Sequence, residues 1–121
     1  MKSDAATLAR VYALSFGSIY PLYLQKVERK GRSKAELDEV LCWLTGHTPA
    51  SLKKAVASGV DLESFFAKAP RYHPNAELIT GVICGDRVED IADPTMKRVR
   101  QMDKVVDELA KGKAMAKILR A

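Results

Sequence analysis

Two cysteines, two histidines and one tryptophan in 121 residues leave little material for sulfur or metal chemistry. Cys42 and Cys84 are set in apolar stretches, Leu41-Cys42-Trp43 and Val82-Ile83-Cys84, a context that predicts reduced, buried thiols rather than a metal pair. His47 and His73 stand in separate connections and share no His-x-x-x-His or Cys-x-x-Cys spacing, so no metal site is expected. Gly81 and Gly85 fit neither Gly-x-Gly-x-x-Gly nor Gly-x-x-x-x-Gly-Lys-Ser/Thr, and no nucleotide or other cofactor is expected. The acidic run Asp86, Glu89, Asp90 and Asp93 lacks the alternating ligands and central glycine of a calcium loop, and Asp86 and Asp93 read instead as helix caps. Long apolar runs are missing too. The N-terminal stretch is bounded by Asp4 and broken by Arg10, short of a signal core of roughly 7–15 residues or a membrane span of about 20. The expectation is a cytoplasmic protein with no membrane association.

Enough apolar residues are present for a core: they make up 47% of the chain against 29% charged, unlike a disordered sequence. Glycine, proline and small polar residues cut the chain into short helical units. A first helix is expected near Ala5 to Leu14, and a second opening at Pro21 and stopping at Gly31. Ser33-Lys34-Ala35-Glu36 fits a capping box, and Leu37, Val40, Leu41 and Leu44 follow on one face before Gly46. Thr48-Pro49 starts a short helix that ends at Gly59; Asp61 caps the next, which carries Leu62, Phe65 and Phe66 up to Pro70. Leu78 to Cys84 could be a buried strand, but Asn75 as a cap, Gly85 as a stop and the want of a partner strand favour helix. Asp93-Pro94 opens the longest helix, and Gly112 precedes a short terminal one.

The predicted fold is therefore all-α: one domain over residues 1–121, a bundle of about six to eight short helices with one longer C-terminal helix. Residues 1–13 form a variable N-terminal helix and 113–121 the short terminal one. Trp43, Leu44, Phe65 and Phe66 are expected in the core.

Three surfaces could carry function. Val99, Met102, Val106 and Leu109 recur at spacings of three, four and three, a short heptad seam that either packs inside the globule or joins a homodimer or another protein partner. The charge is lopsided as well. Residues 1–94 hold 12 basic and 12 acidic side chains, and residues 95–121 hold 8 and 3, so the whole net charge of +5 is C-terminal. Lys97, Arg98, Arg100, Lys104, Lys111, Lys113 and Lys117 could contact nucleic-acid phosphates. Against that, Arg100/Asp103, Lys104/Glu108 and Asp107/Lys111 are spaced for ion pairs along a solvated helix face. Finally, Tyr12, Phe16, Tyr20 and Tyr23 interleave with Arg10, Lys26, Arg29, Lys30, Arg32 and Lys34. Such a set could stack on bases, but a spacing of four also reads as one core-facing helical stripe. Nucleophilic catalysis has only the unplaced pairs Cys84 with His73 and Cys42 with His47, and no catalytic residue is assigned.

Several stretches together resemble a known family. They are Ser15-Phe16-Gly17-Ser18-Ile19-Tyr20-Pro21-Leu22-Tyr23 with Lys26 and Lys30-Gly31-Arg32, then Trp43-Leu44-Thr45-Gly46, Phe65-Phe66 with Ala69-Pro70, Leu78 to Gly85 with Arg87-Val88-Glu89, and Asp103 to Lys113. From about Leu14 to Arg120 the chain resembles the bacterial domain-of-unknown-function family 2200, with His47 and Asp86 standing where that family carries an aromatic after the glycine. The resemblance implies a bacterial cytosolic protein and assigns no catalytic residues. The residues themselves favour a non-enzymatic interaction or self-associating module, with a nucleic-acid-associated protein or a small enzyme with an unrecognised site as alternatives.

Overall fold

The computed structural model describes residues 5–120. Among them the chain forms seven α-helices: α1 (Ala5–Ala13), α2 (Phe16–Arg29), α3 (Lys34–Thr45), α4 (Pro49–Ser58), α5 (Leu62–Ala67), α6 (Pro94–Ala110) and α7 (Met115–Ile118). Two 3₁₀ turns, Pro74–Leu78 and Val88–Asp90, flank an antiparallel hairpin of β1 (Val82–Ile83) and β2 (Asp86–Arg87).

Local chemistry sets most helix starts. Ser33 and Glu36 close a reciprocal capping box on α3, Thr48 and Ser51 do the same on α4, and Asp61 and Asp93 accept from the third backbone N–H of α5 and α6. Each device satisfies backbone donors that the first helical turn cannot pair internally.

Several sequence expectations are corrected. Pro21 lies inside α2 rather than opening it, because Ser15 already caps the helix through the Ser18 N–H; what is lost is only the bond from residue 21 to the Gly17 carbonyl. Tyr12 therefore sits on α1 while Phe16 and Tyr20 sit on α2, so the three are not one stripe. Residues 78–84 are not a helix. Cys84 and Gly85 both adopt positive φ, 53° and 82°, giving the two-residue turn of primed type that matches strand twist, and Val82 pairs with Arg87 and Ile83 with Asp86. Asp86 is thus a strand residue, Asn75 donates its N–H to the His73 ring rather than capping a helix, and Cys84 is exposed at the turn while Cys42 is half-buried.

The core is one contiguous cluster built around α6, which packs against α1, α2, α3, α5, α7, β1 and the second 3₁₀ turn. Leu44, Phe65 and Phe66 are buried as expected; Trp43 is only half-buried, packed on the outside of the core with its ring stacked on His73 at 4.5 Å. Phe16 stacks face to face on Phe65, joining α2 to α5. A pair of backbone bonds, Phe16 N–H to Val60 O and Leu62 N–H to Leu14 O, both 2.8 Å, stitches the α1–α2 junction to the α4–α5 junction.

The approach of α2 to α4 depends on Gly17, where an added Cβ would overlap the Val56 carbonyl. Helix propensity alone favours alanine there by about 1 kcal/mol. The overlap is with backbone that cannot swing aside, so Gly17→Ala is expected to destabilise by about 1–3 kcal/mol. A urea midpoint that rises for this variant would show that α2 and α4 do not pack as described.

Candidate functional site

The three surfaces read from the sequence fare differently. Val99, Met102, Val106 and Leu109 are all buried within the chain's own core, at 3% exposure or less. The seam faces the chain's own core, where α6 packs on α2, α3 and neighbouring elements.

The basic set is largely compensated. Lys97 pairs with Glu77, Arg100 with Asp103, Lys111 with Asp107 and Lys113 with Glu108, at 2.8–3.3 Å. Arg98 lies over the Tyr72 ring and donates to the Phe66 carbonyl, and Lys104 lies across Gly81. Glu108 turns to Arg120 rather than to Lys104, so that expected pair does not form. Their carboxylate partners intersperse negative charge through what would have to be a single-sign stripe for tracking phosphates.

The aromatic set is structural. Phe16, Tyr20 and Tyr23 are buried, and Tyr12, Tyr20 and Tyr23 each donate a hydroxyl proton to an aspartate: Asp93, Asp38 and Asp103. Burial first, and the Asp103 charge second, push the Tyr23 hydroxyl well above its ordinary range, which keeps it protonated and donating.

A site the sequence did not disclose lies between α4, α5 and the turn that enters α4. It is an open, mainly apolar cleft of about 320 Å³, floored by Phe65, Val60 and Ala55 and edged by His47, Lys54 and Lys68. The local build-up begins at Gly46. Its positive φ of 81° ends α3, and a side chain there would collide with Arg71, whose N–H bonds the Thr45 carbonyl. Buried Thr45 donates to the Leu41 carbonyl and accepts from the His47 N–H, fixing the backbone of His47. The His47 ring then stacks on Phe65 at 5.4 Å, nearly parallel, with Nδ1 2.8 Å from Ser51 Oγ.

Ser51 Oγ accepts the Thr48 N–H in the capping box and lies within reach of both the Thr48 carbonyl, at 3.3 Å, and His47 Nδ1, so Nδ1 is engaged and Nε2 is the ring nitrogen left open. Other hydroxyls in the cleft are similarly engaged: Ser58 donates to the Ala55 carbonyl, and Ser64 bonds the Asp61 carboxyl, which these bonds and, more weakly, Lys68 hold below the usual range. A histidine within reach of a serine meets half the requirement for an activated nucleophile. The other half is missing among the described residues, because no carboxylate orients the imidazole and Ser51 is held in a helix cap. Neither His73 with Cys84 nor His47 with Cys42 is joined by a hydrogen bond, and no three His, Cys, Asp or Glu side chains gather as a metal-holding group among the described residues.

A larger cleft of about 480 Å³ lies between the first 3₁₀ turn and the start of α6. Its polar groups are engaged with one another: Lys97 with Glu77, Tyr72 with Gln101, Gln101 with the Ala76 carbonyl and Arg98 with Phe66. The smaller cleft keeps uncommitted donors, which makes it the stronger candidate.

The fold and its clefts define a small, mainly helical protein with surface hollows of ligand size; among the described residues no helix is long and apolar enough to cross a membrane. Residues 10–120 match the model of a family described as uncharacterized protein conserved in bacteria (DUF2200), and the chain belongs to that family. A solved structure, titled "Crystal structure of uncharacterized protein SP1917", is 40% identical to it, with a TM-score of 0.86 over 91% of this chain and 90% of that one. No curated protein matches the chain. These similarities carry fold and family, and none brings an activity with it.

Burial lowers the His47 pKa from its ordinary value. Its folded pKa being the lower, the unfolded chain binds more protons in the window below about pH 6.5, so the stability His47 contributes at neutral pH is lost as pH falls through that window and levels off below the folded pKa. NMR titration of the His47 ring should give a midpoint below about 6.5; a midpoint at or above that value would place the ring in solvent or beside a carboxylate.

Proposed function

We propose that the protein is a non-enzymatic binding module whose ligand site is the α4–α5 cleft. The observation that carries this reading is a hollow with an apolar floor and a cationic rim, in a chain whose apolar seam is already buried. Binding sites of this kind are concave, chiefly apolar, and marked by a few convergent polar groups. Support for a non-catalytic role comes from the cleft's chemistry: its hydroxyls are held in caps and turns, and its histidine lacks an orienting acid. The seam of Val99, Met102, Val106 and Leu109 faces the core, and most of the C-terminal lysines and arginines pair with carboxylates, which leaves the cleft as the stronger site.

A neutral probe tests whether the cleft receives ligands. Titrating benzyl alcohol into ¹⁵N-labelled protein is expected to move the amide signals of Ser51, Ala55, Val60 and Ser64, and Ala55→Trp, which fills the hollow, is expected to abolish the shifts. Shifts that centre on the first 3₁₀ turn and Gln101, or none at all, would overturn the assignment of the site.

A further inference from the structure

Two of the hydrogen-bonding groups that edge the cleft are lysine ammonium groups. Lys54 and Lys68 are exposed at its edge, and neither has a carboxylate within 4.0 Å among the described residues. This sets them apart from the C-terminal lysines, most of which are paired. His47 has its Nδ1 engaged with Ser51 Oγ, so Nε2 is the ring nitrogen open to a ligand. The Ser58 hydroxyl donates to the Ala55 carbonyl, and Ser64 bonds the Asp61 carboxyl, whose charge also interacts with Lys68 from beyond ion-pair distance. Below this rim lie the Phe65 ring and the side chains of Val60 and Ala55.

Size narrows the ligand further. At about 320 Å³ and open to solvent, the hollow lies at the small end of ligand pockets, which run to roughly 300–1,000 Å³. A lysine ammonium is a compact point charge that accepts carboxylate or phosphate without demanding one planar geometry. Two such charges over an apolar floor attract anions more strongly than they would in open water, because the adjacent protein has a low dielectric constant.

Resting on the binding reading above, we propose that the cleft takes a small organic anion: a carboxylate or phosphate head held between Lys54, Lys68 and His47, and a compact apolar body, aromatic in the simplest case, lying on Phe65. His47 contributes through Nε2, with Nδ1 held by Ser51.

Four probes separate the parts of this proposal: benzoate, phenyl phosphate, benzamide and inorganic phosphate, each titrated into the full chain with cleft amide shifts as the readout. Benzoate or phenyl phosphate is expected to bind at least tenfold more tightly than benzamide, the tighter of the two identifying the head group. Lys54→Glu and Lys68→Glu should each erase that preference, and Lys117→Glu, outside the cleft, should leave it intact. These lysines are exposed, so the variants are expected to fold, which the unchanged amide pattern elsewhere checks. Equal affinity for benzoate, phenyl phosphate and benzamide would overturn the anion proposal while leaving the cleft as a binding site. Inorganic phosphate binding as tightly as phenyl phosphate would overturn the apolar-body half. Failure of every probe, benzamide and benzyl alcohol included, would overturn both the proposal and the reading it rests on.

Discussion

Everything else in this structure depends on the burial of α6. Met96, Val99, Met102, Val105, Val106 and Leu109 are almost wholly removed from water, and helices from both halves of the chain close over them. At about 25 cal/mol per Å² of apolar surface, a fully buried side chain of this size contributes about 1.5–3 kcal/mol before conformational entropy is set against it. The same helix fixes its neighbours by polar contacts. Gln101 accepts from Tyr72 and donates to the Ala76 carbonyl, Asp103 receives Tyr23 and Arg100, Asp107 receives Lys26 and Lys111, and Glu108 receives Arg120 and Lys113. Asp107 and Glu108 are nearly buried, and a carboxylate so placed is strongly destabilising unless it is paired. The cations of the C-terminal region thus answer a need created by the fold, and that need accounts for much of their clustering in the sequence.

This arrangement also decides where a ligand can go. Because α6 is enclosed, the free surface features are the outer helices and their junctions. α4 and α5 contribute Leu52, Leu62, Phe65 and Phe66 to the core and leave a hollow between them on the outside. Phe65 serves both roles: one contact is with Phe16 in the interior, and another is with His47 at the cleft. Its position is therefore set by core packing, which gives the cleft a rigid floor.

Much of the helical plan was legible because capping is local. Ser33 with Glu36, Thr48 with Ser51, and the aspartates at 61 and 93 act within three residues, and that spacing is visible along a single chain. The hairpin was hidden for the opposite reason: its strands have two residues each, and its turn places Cys84, rather than the usual asparagine or glycine, at the first positive-φ position. Pro21 misled because a proline at a helix start is common, whereas here Ser15 supplies a stronger start six residues earlier. Even the cleft left a trace, since Ser51, Lys54 and Ser58 recur at three and four along one face of α4, with His47 four residues before Ser51 in the turn that enters it. What no local pattern could supply is the meeting of that face with Phe65 and Lys68 from the next helix. The seam on α6 was ambiguous in principle, because a heptad stripe has the same appearance whether its partner is in the same chain or another.

The central claim is that this stripe is satisfied within one molecule, and native-state hydrogen exchange tests it most directly. The amides of Met102 to Leu109 should be the slowest to exchange, opening only with global unfolding, and their protection should be the same across a hundredfold range of protein concentration. Protection of α6 that weakens on dilution, or that falls well below the global stability, would mean that the stripe needs a second molecule to bury it.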